Sequence, residues 1–594
     1  GTNYGITAKS WTDAGAGTFT EGTGTVTFDV AGGTINSNET FENVTINHAG
    51  TSTLGAALDL DDTLTITAGA LDVSGTNYGI TAKSWTDAGA GTFTEGTGTV
   101  TFDVAGGTIN SNENFNNVTI NHAGTTTLGA AITTGGNLTI TAGTFDVDNT
   151  NNYGITIGND YTNNGTFTAR NGTVTFNATD AGNTLSGTLS GTSAFYDLTL
   201  NGAGGDWTPD AAVAVTNDLT VTDGSLLGTQ NVTVNGNVTG AGTVTLTGGT
   251  FEQRVAAVKN FGSSGGANVW RFATLILSNS SAVDRTISPN AGTGNIRVDT
   301  LFQIGKAADT NFTTFENNLS NDRVLDMNGN VDITSRGTLQ ASNNQNFNVA
   351  GNWTKTGAFV HNSGTVTFDG AGASTQEFTG NSTFYNFTAT ATAARTLSFT
   401  SGSGSTQIID NLWTVTGAAS NHITLSRLGG AGTDFWYINP NTWSVNFVTV
   451  SNSTNLASSI INPSTYTDSG NNRNWFPGST SAASSGGSTQ GGGRVPPSQD
   501  QNLIESLREQ IRKLFERIAE LRRIGREEEI PSLEEEIKEL EKIVPKEAPL
   551  ALRGEWRLLP MREIGRFVLA PLPRSISKLV EKFPGLEKTF EEIG

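Results

Sequence analysis

The chain has 594 residues, 55 Asp+Glu against 34 Lys+Arg, a formal net charge of −21, 73 Gly, 2 Met and no Cys. These totals exclude disulfides and thiolate metal sites, and no run of 18 apolar residues offers a membrane span. An acidic body also repels phosphate backbones and anionic membrane surfaces, so nucleic acid is not expected as a partner.

The acidity is uneven: residues 1–478 hold 35 Asp+Glu against 15 Lys+Arg, whereas residues 479–594 hold 20 against 19. Gly1 opens in mid-repeat without an initiator Met or signal peptide, which reads as a processed or truncated piece of a longer protein. Residues 1–74 and 75–148 align without a gap and differ at 12 positions, the first 39 being identical. Within them three elements recur, "GTVTFD" at Gly24–Asp29, "FENVTI" at Phe41–Ile46 and "LTITAG" at Leu64–Gly69, with echoes as far as Gly364–Asp369. Val26 and Phe28 alternate with Thr25, Thr27 and Asp29, and the other elements alternate likewise, the period of a strand with one buried face.

A graded repeat of short strands predicts a mainly β chain, a parallel β-solenoid (β-helix) rod over residues 1–477, rather than tandem sandwiches. Three coils of about 25 residues per 74-residue unit would give about 19 rungs and a rod of ~90 Å. Trp11 and Trp85, like Tyr4 and Tyr78, are repeat equivalents and are expected to stack as ladders.

Candidate chemistry is sparse. His48 and His122 are one repeat position in separate rungs and read as turn residues; with His361 and His422 they complete the histidines. Asp59, Asp61 and Asp62 in "DLDD" form a candidate calcium cluster, but the second unit has "TTGG" there and no EF-hand pattern accompanies it. Asp206 and Asp210 flank Trp207, the best local arrangement for a glycosidase carboxylate pair with a sugar platform. Asn-x-Thr triplets at Asn43, Asn117 and Asn386 are glycan acceptors if the source glycosylates. No cofactor is expected.

"STYTDSGNNRNWFP", Ser464–Pro477, reads as a closing element in which Trp475 and Phe476 cover the last rung. Residues 478–497 form a Gly/Ser-rich linker. Ser498 and Gln501 make a capping box; Ile504, Ile511 and Ile518 then share one heptad position and Leu507, Leu514 and Leu521 the other. A second helix opens at Ser532 with Glu535, so residues 498–545 are a self-associating coiled coil or a helical hairpin. Residues 546–594 carry short Pro-punctuated helices, completing a C-terminal α-helical module.

The "GTVTFD…LTITAG" pattern, the "DSGNNRNW" closure and the Gly/Ser linker resemble large repetitive bacterial surface proteins, the β-helical adhesin and stalk proteins, including those of candidate-phylum bacteria. The resemblance implies secretion and display at the cell surface, and it brings no catalytic residue. The expected function is thus an extracellular structural or adhesive rod, self-associating through its helices or end to end. The alternatives are a polysaccharide-processing β-helix enzyme and a non-catalytic carbohydrate-binding module that meets surface glycans.

Overall fold

The computed structural model describes residues 3–477, apart from residues 14, 16, 21, 88, 112, 267, 319, 373, 430 and 431, together with Glu534, Ile537 and Lys538. The chain divides into two units, residues 1–483 and 484–594. In the second unit the three described residues are helical, within the helix predicted from Ser532, and Ile537 is buried. The linker, the heptad positions Ile504, Leu507, Ile511, Leu514, Ile518 and Leu521, and residues 546–594 lie outside the described residues.

The first unit is a parallel β-solenoid of about 21 turns, the 49 strands among its described residues joined in one continuous sheet. At ~4.8 Å per turn the stack is roughly 100 Å long. Alternating β-branched and aromatic residues dictate the strands: Val26, Phe28, Val44, Ile46, Leu64 and Ile66 are all buried, with the intervening Thr facing outward. Each apolar side chain sits on another: Ile6, Val26, Val44, Leu64, Trp85, Ile109 and Leu128 form one ladder through seven turns.

Three such ladders exist, and the chain visits them in strict rotation. The second runs through Trp11, Ile35 and Leu54. The third runs through Phe41 and Leu60, then the strands Ile80–Ala82, Val100–Phe102, Val118–Ile120 and Leu138–Ile140. Steps along the first ladder range from the short Val26–Val44 to the long Trp85–Ile109, and every one is tighter than the expected coil. "GTVTFD", "NVTI" and "LTIT" do stack in successive turns, but the stretch from Leu64 to Val100 adds nearly two more.

From Ile6 to its equivalent Ile80 the chain therefore crosses eleven faces, or 3⅔ turns. Ile6 belongs to the first ladder and Ile80 to the third. The duplicate is displaced by one face, and the expected Trp11–Trp85 ladder does not form. Trp11 packs edge-on against Phe19 and Phe41, Trp85 against Phe93 and Phe115, eleven faces further on.

Corners are set locally. The Gly50 N–H donates to His48 Nδ1 (3.0 Å) while His48 Nε2 meets Ser52 Oγ at 2.8 Å, folding the chain from one face to the next. Gly69 lies over this corner at φ +79°, where a Cβ would stand 2.1 Å from the His48 carbonyl; Gly is obligatory there. His122 and Gly143 repeat the device. At the far end, as anticipated, Trp475 is buried against Trp413 and Trp436, and Phe476 stacks on Tyr466 at 4.1 Å.

Candidate functional surface

Outward positions as far as Thr239 are filled largely by threonine, in register from turn to turn. One face carries Thr7, Thr27, Thr45, Thr65 and Thr86. A second carries Thr81, Thr101, Thr119, Thr139 and Thr162, and the third Thr133, Thr156, Thr175, Thr199, Thr220 and Thr239. Thr27, Thr101 and Thr175 are the same position of the "GTVTF" element, so the one-face displacement of each unit hands the same ladder to a new face. Such a surface offers hydroxyl and methyl groups every ~4.8 Å.

At the face edges an Asn or Asp of one turn accepts the backbone N–H of the next. Asn117 Oδ1 takes the Asn137 N–H (2.9 Å), Asn137 that of Asp160 (3.1 Å) and Asp160 that of Thr184 (2.8 Å). Asp197, Asp218 and Asn237 continue the scheme. These bonds satisfy backbone donors where the ladder turns away. Asn43 and Asn117, two of the glycan-acceptor positions, take part through Oδ1, and Asn386 bonds Thr365 and Asn411.

The sequence-predicted site residues are not brought together. Asp59 accepts the Thr40 hydroxyl (3.0 Å), Asp62 is ion-paired with Lys83 (3.1 Å), and the Asp61 N–H bonds the Phe41 carbonyl. Among the described residues no group of three acids or histidines is arranged to hold a metal. Trp207 is fully buried and is no sugar platform: it points inward because Asp206 and Thr208 take the outward positions of its strand. Asp206 accepts the Gly182 N–H and Asp210 the Gly187 N–H, so both carboxylates fasten neighbouring turns. His361 meets Asp410 at 3.0 Å and stacks on Tyr385; His422 Nδ1 lies 3.4 Å from the Thr449 hydroxyl.

What sequence reasoning missed is a set of long polar side chains in the interior beyond residue 250. Arg323 is completely buried, its Nη1 donating to the carbonyls of Ser263 and Gly294 and its Nη2 to that of Asn290 (2.8 Å). Burial pulls its pKa from 12.5 down to about 10, leaving it cationic at neutral pH. Arg395, Gln253, Gln376 and Gln407 likewise reach inward to turn carbonyls. A local signal existed: each of these four stands at an inward, otherwise apolar position of its strand's alternation.

Comparison with protein-family models, with curated proteins and with solved structures returned no match. Of the expected resemblance, the structure supports a large β-solenoid protein and nothing finer.

Proposed function

We propose that the chain is an extracellular structural and adhesive protein, a stiff rod displayed at a cell surface, with no enzymatic activity of its own. The observation that carries this reading is continuity: every turn from Ile6 to Asp468 is hydrogen-bonded in parallel to the next, over one apolar core. Stacked turns resist bending and proteolysis because no interior turn opens without breaking its pairing to both neighbouring turns. The candidate pair Asp206 and Asp210 is engaged in holding neighbouring turns together. The helical module supplies attachment or self-association in this reading.

A second role, binding of surface glycans without turnover, is favoured by the flat threonine ladders, whose hydroxyls suit a polyhydroxylated partner. Antibodies raised against residues 3–477 test the main reading. They are expected to label intact source cells; labelling only after permeabilisation would overturn surface display.

A further inference from the structure

The threonine ladders are not a requirement of the fold. In the second half one outward ladder reads Arg271, Arg297, Asp326, Asn348 and Thr367, so varied polar residues serve there. Copying does not account for the threonines either. Beyond the two near-identical units the sequence has diverged, yet Thr156, Thr175, Thr199, Thr220 and Thr239 still hold one ladder. On the face backed by Val26, Val44, Leu64 and Trp85 the outward side chains stand in two files. One file is Thr25, Asn43, Thr63 and Ser84, the other Thr27, Thr45, Thr65 and Thr86. Pairing is regular along both, the first register shift falling past Ile46. Rows are ~4.8 Å apart and the files about 6.6 Å apart. No charged residue enters either file. The other two faces differ: beside their threonines run Asn117, Asn137 and Asp160 in one case and Asp197 and Asp218 in the other.

Every threonine of the double file is partly exposed. Among the described residues their hydroxyls bond nothing in the protein, unlike those of Thr40, Thr184 and Thr216. Each keeps one donor and two acceptor sites for water. Branching at Cβ restricts χ1, so hydroxyls and methyls hold fixed places at little further entropic cost. The two departures have a task of their own: Asn43 accepts the Thr63 N–H and Ser84 the Thr108 N–H, both at 3.2 Å. A flat lattice without a concavity does not suit a small ligand, and neither file carries an aromatic ring for a sugar. It suits a ligand that repeats as it does. The two spacings lie close to the oxygen repeats on the prism face of hexagonal ice. Waters anchored on these hydroxyls therefore already stand near crystal positions, whereas a carboxylate would orient water about itself. We infer that the double file from Thr25 to Thr86 is an ice-binding face, its ligand the surface of crystalline water. The inference rests on the threonine lattice and not on surface display, so either can fail without the other.

The full chain is frozen slowly beside a non-binding globular protein, and its partition into ice and its inhibition of ice recrystallisation are measured. The native chain is expected to be enriched in the ice and to keep the crystals small. Thr45→Tyr with Thr65→Tyr, on outward positions of the central rows, is expected to leave the melting temperature unchanged. The same inhibition should then need at least about tenfold more protein, the cost of a few water-mediated hydrogen bonds. Should the tyrosines unfold the chain, Thr45→Lys with Thr65→Lys places charge on the same rows and is expected to give the same loss. Thr119→Tyr, on a neighbouring face, is expected to keep native activity. Three results overturn the inference: exclusion of the native chain from ice, undiminished inhibition by a folded double variant, or an equal loss from Thr119→Tyr. Retention on cellulose or chitin without any on ice would also overturn it, and would leave the glycan reading in place.

Discussion

The solenoid has two halves that reach one architecture by different means. Residues 1–250 hold 22 Asp+Glu against 3 Lys+Arg, residues 251–477 hold 13 against 12, so nearly all of the solenoid's net negative charge sits in the first half. There the turns are short, the interior is apolar apart from small polar side chains and the corner histidines, and the outer faces are threonine. In the second half the circuit varies in length: Phe347 reaches Val366 by a short path, whereas Trp413 reaches Trp443 by one half as long again. The wider turns enclose more polypeptide, and long buried polar side chains answer the carbonyls that the ladders leave over. Its surface is tied by ion pairs: Asp299 bonds both Arg271 and Arg297, and Lys306 bonds Glu252. Burial would raise the Asp299 carboxyl, but the hydrogen bonds from Arg271, Arg297 and Asn328 outweigh it and hold it below the usual range. Repetition solves packing once and copies it; without repetition each turn needs its own solution.

The sharpest way to break this contrast is to delete the same length from each half. Removing residues 75–148 joins Ser74 to Asn149 at the junction Asp148 normally makes, and a cooperative melt near the native temperature is expected. Removing residues 297–370 joins unrelated faces and is expected to abolish cooperative unfolding of residues 251–477, read by hydrogen exchange. Equal tolerance of both deletions would erase the distinction.

A smaller effect is expected from Arg323→Ala. The Asn290 carbonyl keeps the Asn321 amide, while those of Ser263 and Gly294 lose a buried donor at about 1–3 kcal/mol each, so a loss of roughly 2–6 kcal/mol is expected in urea titration. Because the solenoid unfolds in neighbouring segments, the loss should be confined to exchange within the second half.

The smallest effect concerns charge in the first half. Partial desolvation first, then the Asp59 and Asp61 carboxylates, raise the carboxyl of the solvent-exposed Asp103 above its usual value of 3.8. A raised folded-state value means that stability is full below 3.8 and is lost as pH rises through the folded value. His122 runs oppositely: burial lowers it, so its contribution is full above 6.5 and is lost as pH falls. Asp103→Asn isolates the first effect. Its melting temperature should exceed the native one at pH 7 and match it at pH 3.5, and no difference at pH 7 would remove Asp103 as a source of strain.

Strand positions and the aromatic closure were legible because period-two alternation and turn residues are local, as Val26–Phe28 and Trp475 illustrate. The path was not. Equivalence of Ile6 and Ile80 reports common ancestry, whereas their ladder depends on how many corners lie between, and corners such as His48–Gly50 carry no period of their own. Trp207 was misjudged for the opposite reason: Asp206 and Asp210 drew notice as chemistry, while the alternation along Asp197–Pro209 had already assigned the indole to the interior. Arg323 was invisible because a buried arginine betrays its carbonyl partners only when the turns around it are in place.

Eleven faces per unit is not a multiple of three, and this couples length to direction. Each added or lost copy of the repeat unit swings whatever is mounted beyond it by a third of a circle, and only three copies together restore the original bearing. Recombination between near-identical units would therefore turn the rest of the solenoid about its axis as well as lengthen it, and a population of length variants would hold three bearings.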